Sequence, residues 1–293
     1  MKRAAAVVLL VVAAWAAGCT NAVRATRDLT LTLPWEEYRQ VAVQVRNGAV
    51  ELRSAPVDQI QLKIRKQVCG DTFAQAEEHL GQMEVFTGRD PQNADTFLVE
   101  LRYPEELAGR NVGACVTIEV PQACAARIRT SNGAIRVAGL TGDVSLETSN
   151  GGVQADDVQG TLDARTSNGG IVARRVAGAV QARSSNGGIE ALDVSGRCVA
   201  RTSNGGIRLV AATAEAAQIE LITSNGNIHA SVPQTLAADM RCETSNGRVS
   251  VDLPKAVMQS IQATRTRFSG VVNGGGGKLV AETSNGSVTV DAR

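Results

Sequence analysis

Leu162-Asp163-Ala164-Arg165-Thr166-Ser167-Asn168-Gly169-Gly170-Ile171-Val172-Ala173 is followed 18 residues later by Val180-Gln181-Ala182-Arg183-Ser184-Ser185-Asn186-Gly187-Gly188-Ile189-Glu190-Ala191. The two stretches are copies of one pattern, so the chain is read first for repeats. Ser-Asn-Gly occurs eight times, with asparagines at 132, 150, 168, 186, 204, 225, 246 and 285. The intervals are 18 or 21, except for 39 before Asn285, which predicts a coil without its signature around Arg267-Phe268-Ser269-Gly270. Three residues after each asparagine stands Ile or Val: Ile135, Val153, Ile171, Ile189, Ile207, Ile228, Val249 and Val288. A second small or apolar residue follows two positions later, as in Val137, Ala173 and Leu209. Before the turn the same pairing recurs, as in Leu162 with Ala164 and Cys198 with Ala200. Apolar residues two apart with polar ones between them mark short strands with one buried face. Recurring in register, such strands predict an all-β solenoid over residues 125–293, a single-stranded parallel β-helix. Right-handed coiling is favoured by the handedness of parallel crossovers, and left-handed β-helices with 18-residue coils keep the alternative open.

Residues 29–124 carry a weaker form of the same grammar. Arg46-Asn47-Gly48-Ala49-Val50-Glu51-Leu52 is a faded repeat, and strands are predicted over 59–68, 96–103 and 112–120. Asp71 could cap one helix over 72–82, with Phe73, Ala76 and Leu80 on a common face. An open β-helix end leaves backbone unpaired, so this irregular segment is expected to be the N-terminal cap.

The first 18 residues have the composition of an export signal. Lys2 and Arg3 precede an apolar run from Ala4 to Ala17, too short to span a membrane, which ends in Ala16-Ala17-Gly18-Cys19. This motif resembles a lipobox, with Cys19 as the acylated first residue of the mature protein and residues 19–28 as a tether. Secretion with cleavage nearby is the alternative. Thr20 after the cysteine favours the outer membrane, if the cell is Gram-negative. Loss of Lys2 and Arg3 takes the 30 basic residues just below the 29 acidic ones, which argues against a nucleic-acid partner.

Residues 246–293 carry a closer resemblance. Thr-Ser-Asn-Gly-Arg-Val-Ser-Val-Asp-Leu-Pro, Phe268-Ser269-Gly270, the run Gly274 to Gly277 and Thr-Ser-Asn-Gly-Ser-Val-Thr-Val resemble the bacterial "putative adhesin" family, also called toastrack and related to the envelope protein LiaG. The resemblance spans most of residues 29–293. It implies a parallel β-helix, often exported and anchored by lipid or in the membrane. It carries no agreed catalytic or ligand residues.

The remaining chemistry is sparse. Asn132, Asn150, Asn168, Asn186, Asn204, Asn225, Asn246 and Asn285 are expected to be structural, each in a left-handed turn with its amide stacked on the next. With Cys19 lipidated, five cysteines remain in an oxidising compartment. Cys124, Cys198 and Cys242 fall at inward positions, with Cys198 and Cys242 two coils apart, which leaves Cys69 and Cys115 as the candidate disulfide. The best outward carboxylates, Asp156, Asp157, Asp163 and Asp193, do not form a catalytic set, because Arg175 lies between Asp157 and Asp193 in the coil register. His79 and His229 have no metal-ligand partner at useful spacing, so no metal or cofactor is expected. Phe268 is the one aromatic residue after Tyr103, which disfavours sugar stacking along the repeat.

One surface feature stands out. Three residues before the asparagines runs an outward column of Arg129, Glu147, Arg165, Arg183, Arg201, Ile222, Glu243 and Glu282. Arg165, Arg183 and Arg201 are consecutive and form a candidate anion-binding row; a solvated charged face is the bland alternative. The expected function is therefore a non-catalytic envelope lipoprotein, an adhesin-like scaffold or binding module. It would contact an anionic envelope polymer or envelope protein, or be accessory to stress sensing. A β-helix polysaccharide lyase or hydrolase is the alternative, and a groove gathering carboxylates without interleaved arginines would favour it. Oligomeric state is left open.

Overall fold

The computed structural model describes residues 6–7, 23–35, 38–107, 111–213 and 218–293. Cys19 and most of the leader lie outside these. The strands lie in two sheets, mostly parallel, and the chain divides into compact units at residues 1–140 and 141–293.

In the first unit, Val23–Pro34 pairs antiparallel with Gln59–Gly70 along its whole length, and residues 6–7 add a two-residue strand beside Thr30 and Leu31. The tether expected over 19–28 is thus a strand from Val23 onward; alternation of Ala25 inward and Arg24 outward suits a sheet better than a linker. The faded repeat forms a full coil from the strands Gln40–Asn47 and Val50–Ser54. Gln40–Asn47 lies between Thr96–Arg102 and Ala125–Asn132, parallel to both. Val50–Ser54 lies between Gly113–Val120 and Ile135–Ala138. An early coil is therefore inserted among later ones.

The helix is Phe73–Gly81, labelled α1. Its N-cap is Thr72, one residue later than expected: Thr72 Oγ1 accepts from Gln75 N at 3.2 Å, while Gln75 Oε1 accepts from Asp71 N at 2.8 Å. Ala76 and Leu80 are buried, whereas Phe73, in the first turn, is 40 % exposed. Buried Lys66 donates to Leu80 O at 3.4 Å and Met83 O at 2.7 Å, placing a cation on the carbonyls at the helix C-terminus. Burial and the nearby Arg27 hold its pKa below the ordinary lysine value.

The second unit is the regular repeat. Ile171–Ala177 pairs in parallel with Val153–Gln159 and Ile189–Val194, and Leu162–Arg165 with Val144–Glu147 and Val180–Arg183. The apolar columns face inward: Ile171, Ile189, Ile207 and Ile228 are at most 2 % exposed. Burying each such side chain contributes roughly 1.5–3 kcal/mol.

The long interval before Asn285 has a different cause from a degenerate coil. Met258–Ala263 and Arg267–Val272 form an antiparallel hairpin, and Arg267–Val272 pairs antiparallel with Ala238–Asn246. Gly277–Asn285 then runs back between Gln218–Asn225 and Ala238–Asn246, parallel to both. Val288–Ala292 likewise lies between Ile228–Val232 and Val249–Asp252. The last coil in sequence is next to last in space, so Val249 and Val251, on the outermost strand, are only half buried.

Candidate functional site

The Thr-Ser-Asn-Gly turns form the corner between the two sheets. Asn168 Nδ2 donates to Asn150 Oδ1, Asn186 to Asn168 and Asn204 to Asn186, at 2.7–2.9 Å. The ladder continues through Asn225, then Asn285, then Asn246, in spatial rather than chain order. In the first unit Asn132 donates to Asn47 at 2.6 Å. None of these asparagines is left-handed. Positive φ falls instead on Asp157, Arg175 and Asp193, at a different corner of the coil. Arg175 forms a two-pronged pair with Asp157 at 2.6 and 2.8 Å and holds that carboxyl below the usual range, while Arg293 reaches Asp193 at 3.0 Å.

The cysteines do not pair as expected. Cys115 lies opposite Arg65 and Cys69 opposite Arg24, so along Gln59–Gly70 they sit four residues out of register. At roughly 3.4 Å per residue this is beyond disulfide reach. Both are free, as are buried Cys124, Cys198 and Cys242. Cys198 and Cys242 are three strands apart rather than two, because Gly277–Asn285 is inserted between them.

The outward face of the second sheet carries the polar features. Arg165, Arg183 and Arg201 are direct partners on adjacent strands. Arg165 Nη2 meets Asp163 Oδ2 at 2.7 Å, and Arg201 Nη2 meets Glu220 Oε1. In each of these pairs a single guanidinium nitrogen is engaged, so further N–H donors remain. Beyond Arg201 the column runs Ile222, Glu282, Glu243 and Arg267. A cleft of about 560 Å³ opens there, floored by Ile222, Glu282, Glu243 and the serines of three turns, and closed by the hairpin turn at Thr264, Thr266 and Arg267. Glu243 Oε1 accepts from Arg241 Nε at 3.0 Å and forms an ion pair with Arg267 Nε at 3.0 Å, and Arg241 Nε is 3.7 Å from Glu282. The two carboxylates are thus adjacent, and each lies within ion-pair distance of an arginine. The sequence lists Ile222, Glu243 and Glu282 in the outward column, but their adjacency depends on the inserted coil and has no local signal.

His229 is also partnered: its Nε2 lies 2.6 Å from Asp291 Oδ1, and Ser231 Oγ donates to Asp291 Oδ2 at 3.3 Å. The carboxylate is in the middle and the serine does not reach the imidazole, so this is not a nucleophile–base relay. Among the described residues no three His, Cys, Asp or Glu side chains gather as metal ligands.

The model of the family Toastrack DUF4097 matches residues 116–291, more than half of the chain. The chain belongs to the toastrack family. The toastrack match covers the repeat and the hairpin with its inserted final coil, as well as the end of the N-terminal segment. No curated protein matches the chain. Among solved structures, a "putative adhesin" from Bacteroides fragilis matches at 14% identity and TM-score 0.47, over 91% of this chain and 97% of that one. Another so described, from Parabacteroides merdae, matches at 11% identity and TM-score 0.38, over 92% and 96% of the two chains. A "putative cell adhesion protein" from Clostridium sporogenes matches at 9% identity and TM-score 0.31, over 92% and 100%.

Proposed function

We propose that this toastrack protein is a non-catalytic binding module of the bacterial envelope, anchored by lipid at Cys19. In this reading its arginine row takes acidic groups of an envelope polymer such as lipopolysaccharide or teichoic acid. The observation that carries it is the in-register stack of Arg165, Arg183 and Arg201. Like charges directly opposite on neighbouring strands destabilise a sheet, and outward positions are free to vary, so folding alone does not call for this row. Planar guanidinium forks suit phosphate and carboxylate oxygens. A hydrolase reading draws no support from the face, since the carboxylates of the cleft are tied to Arg241 and Arg267.

The test is Arg183→Glu, assayed for binding to lipopolysaccharide vesicles and to teichoic acid at low and high salt. Salt-sensitive binding should be lost while the melting temperature holds or rises, because the variant places a carboxylate between two arginines. Binding like that of the unmodified protein would refute the row. The anchor rests on Ala16-Ala17-Gly18-Cys19, and Val23 already belongs to the fold, so only residues 20–22 would separate lipid from sheet. Cys19→Ser should leave the detergent phase in a partition assay; an unchanged partition would rule out this anchor.

A further inference from the structure

We propose that the cleft under the C-terminal hairpin is a subsite for a neutral, hydroxyl-rich sugar, distinct from the arginine row. Three observations carry it. First, Glu243 and Glu282 are direct partners on neighbouring parallel strands, an unfavourable pairing that an outward position does not require. Such breaches of local rules concentrate at functional sites. Second, the two carboxylates are already matched in charge by Arg267, on the cleft wall, and by Arg241, just outside it, which approach through Nε and leave carboxylate oxygens and guanidinium N–H groups free. A charge-balanced cleft of this kind calls for neither a cation nor an anion. It offers acceptors and donors to hydroxyl groups, each of which is both. Third, Ser224, Ser284 and Ser245 line the cleft from three adjacent strands, and all are exposed. Beside them Ile222 supplies an apolar patch for the C–H face of a ring.

The walls are held before any ligand arrives. Thr244 N donates to Thr266 O and Val249 N to Arg265 O, both at 2.9 Å, pinning the hairpin turn to the outermost coil. Thr264 Oγ1 accepts from Arg267 N at 3.1 Å, fixing the turn itself. A preformed cleft of about 560 Å³ is within the size range of small-ligand sites and admits a disaccharide. Because the cleft continues the arginine column beyond Arg201, one face would hold both an acidic group and a neutral sugar.

The experiment titrates the mature full chain with maltose, cellobiose and chitobiose by calorimetry, at low and high salt. At least one should bind saturably with little dependence on salt. Glu282→Gln, which removes the charge but keeps the shape, and Ser284→Val should each weaken that binding, by roughly 10- to 100-fold for a charge-assisted bond to the glutamate. Both side chains point outward, so melting should be unchanged or, for Glu282→Gln, slightly higher. Arg183→Glu should leave sugar binding intact, which separates this site from the row. Absence of binding by all three sugars, wild-type affinity in both cleft variants, or equal loss in Arg183→Glu would each overturn the proposal.

Discussion

The threonine, asparagine and glycine of the Thr-Ser-Asn-Gly turn each have a task of their own. The first is buried: Thr166 Oγ1 donates to Gly151 O at 2.9 Å, Ser184 to Gly169 O at 2.9 Å and Thr202 to Gly187 O at 2.8 Å. A hydroxyl suffices there, which is why Ser184 can replace threonine. The asparagine joins successive coils through its amide, giving one N–H and receiving one. The glycine is required by contact rather than by backbone conformation. A Cβ on Gly187 would stand 1.9 Å from Gly169 O, whereas one on Gly188 would meet Gly206 O at 3.3 Å. Gly187→Ala should therefore destabilise by roughly 1–3 kcal/mol, as overpacking does, and Gly188→Ala by about 0.5 kcal/mol or less. Calorimetric melting of the two variants compares them directly. Equal losses would show that coil-to-coil approach is not what selects the first glycine.

At the level of the strands, the inward columns explain why cysteine is tolerated in the core. Cys124, Cys198 and Cys242 are at most 1 % exposed, and burial pushes each thiol up to about 12. In the unfolded chain a thiol ionises near 8.5. The folded value is the higher one, so the stabilisation is complete below pH ~8.5 and declines as pH rises toward the folded value. Urea unfolding should accordingly show stability falling from about pH 8 to pH 10, with a shallower fall in Cys198→Ala. A slope unaffected by that substitution would place the titration elsewhere. Thiol labelling offers a companion readout: exposed Cys115 should react in the native state, and the three buried thiols only on unfolding.

At the scale of the molecule, each unit holds a coil inserted out of chain order. Among the described residues, Gly277–Asn285 alone links Gln218–Asn225 to Ala238–Asn246 in their sheet. In a solenoid stacked in chain order, truncation after Asp252 would trim one end and leave the rest intact. Here it should strip Ala238–Asn246 of both its neighbours, since the hairpin goes too. Hydrogen exchange of the truncated chain should show protection lost across Ala238–Asn246 and weakened across Gln218–Asn225. Persistent protection of Ala238–Asn246 would mean that it can pair directly with Gln218–Asn225.

The sequence by itself determined the solenoid, the inward columns and the stacked arginines. All three follow from period-2 burial within a strand and a fixed coil length, and both are local properties that one chain of letters displays. It also marked Asn47 as part of a coil, because the Asn-Gly pair and the alternation of Val50 and Leu52 survive there. Only the tertiary structure decided the order of coils at the ends. Parallel pairing constrains register and spacing but not which coil is the neighbour, and the Ile/Val columns of all coils are interchangeable in pattern. From that order came the hairpin in place of a faded coil, the meeting of Glu243 with Glu282, and the separation of Cys198 from Cys242. The same limit accounts for Cys69 and Cys115: their parity on the strands is legible, but the offset that keeps them apart is set by antiparallel pairing between distant segments.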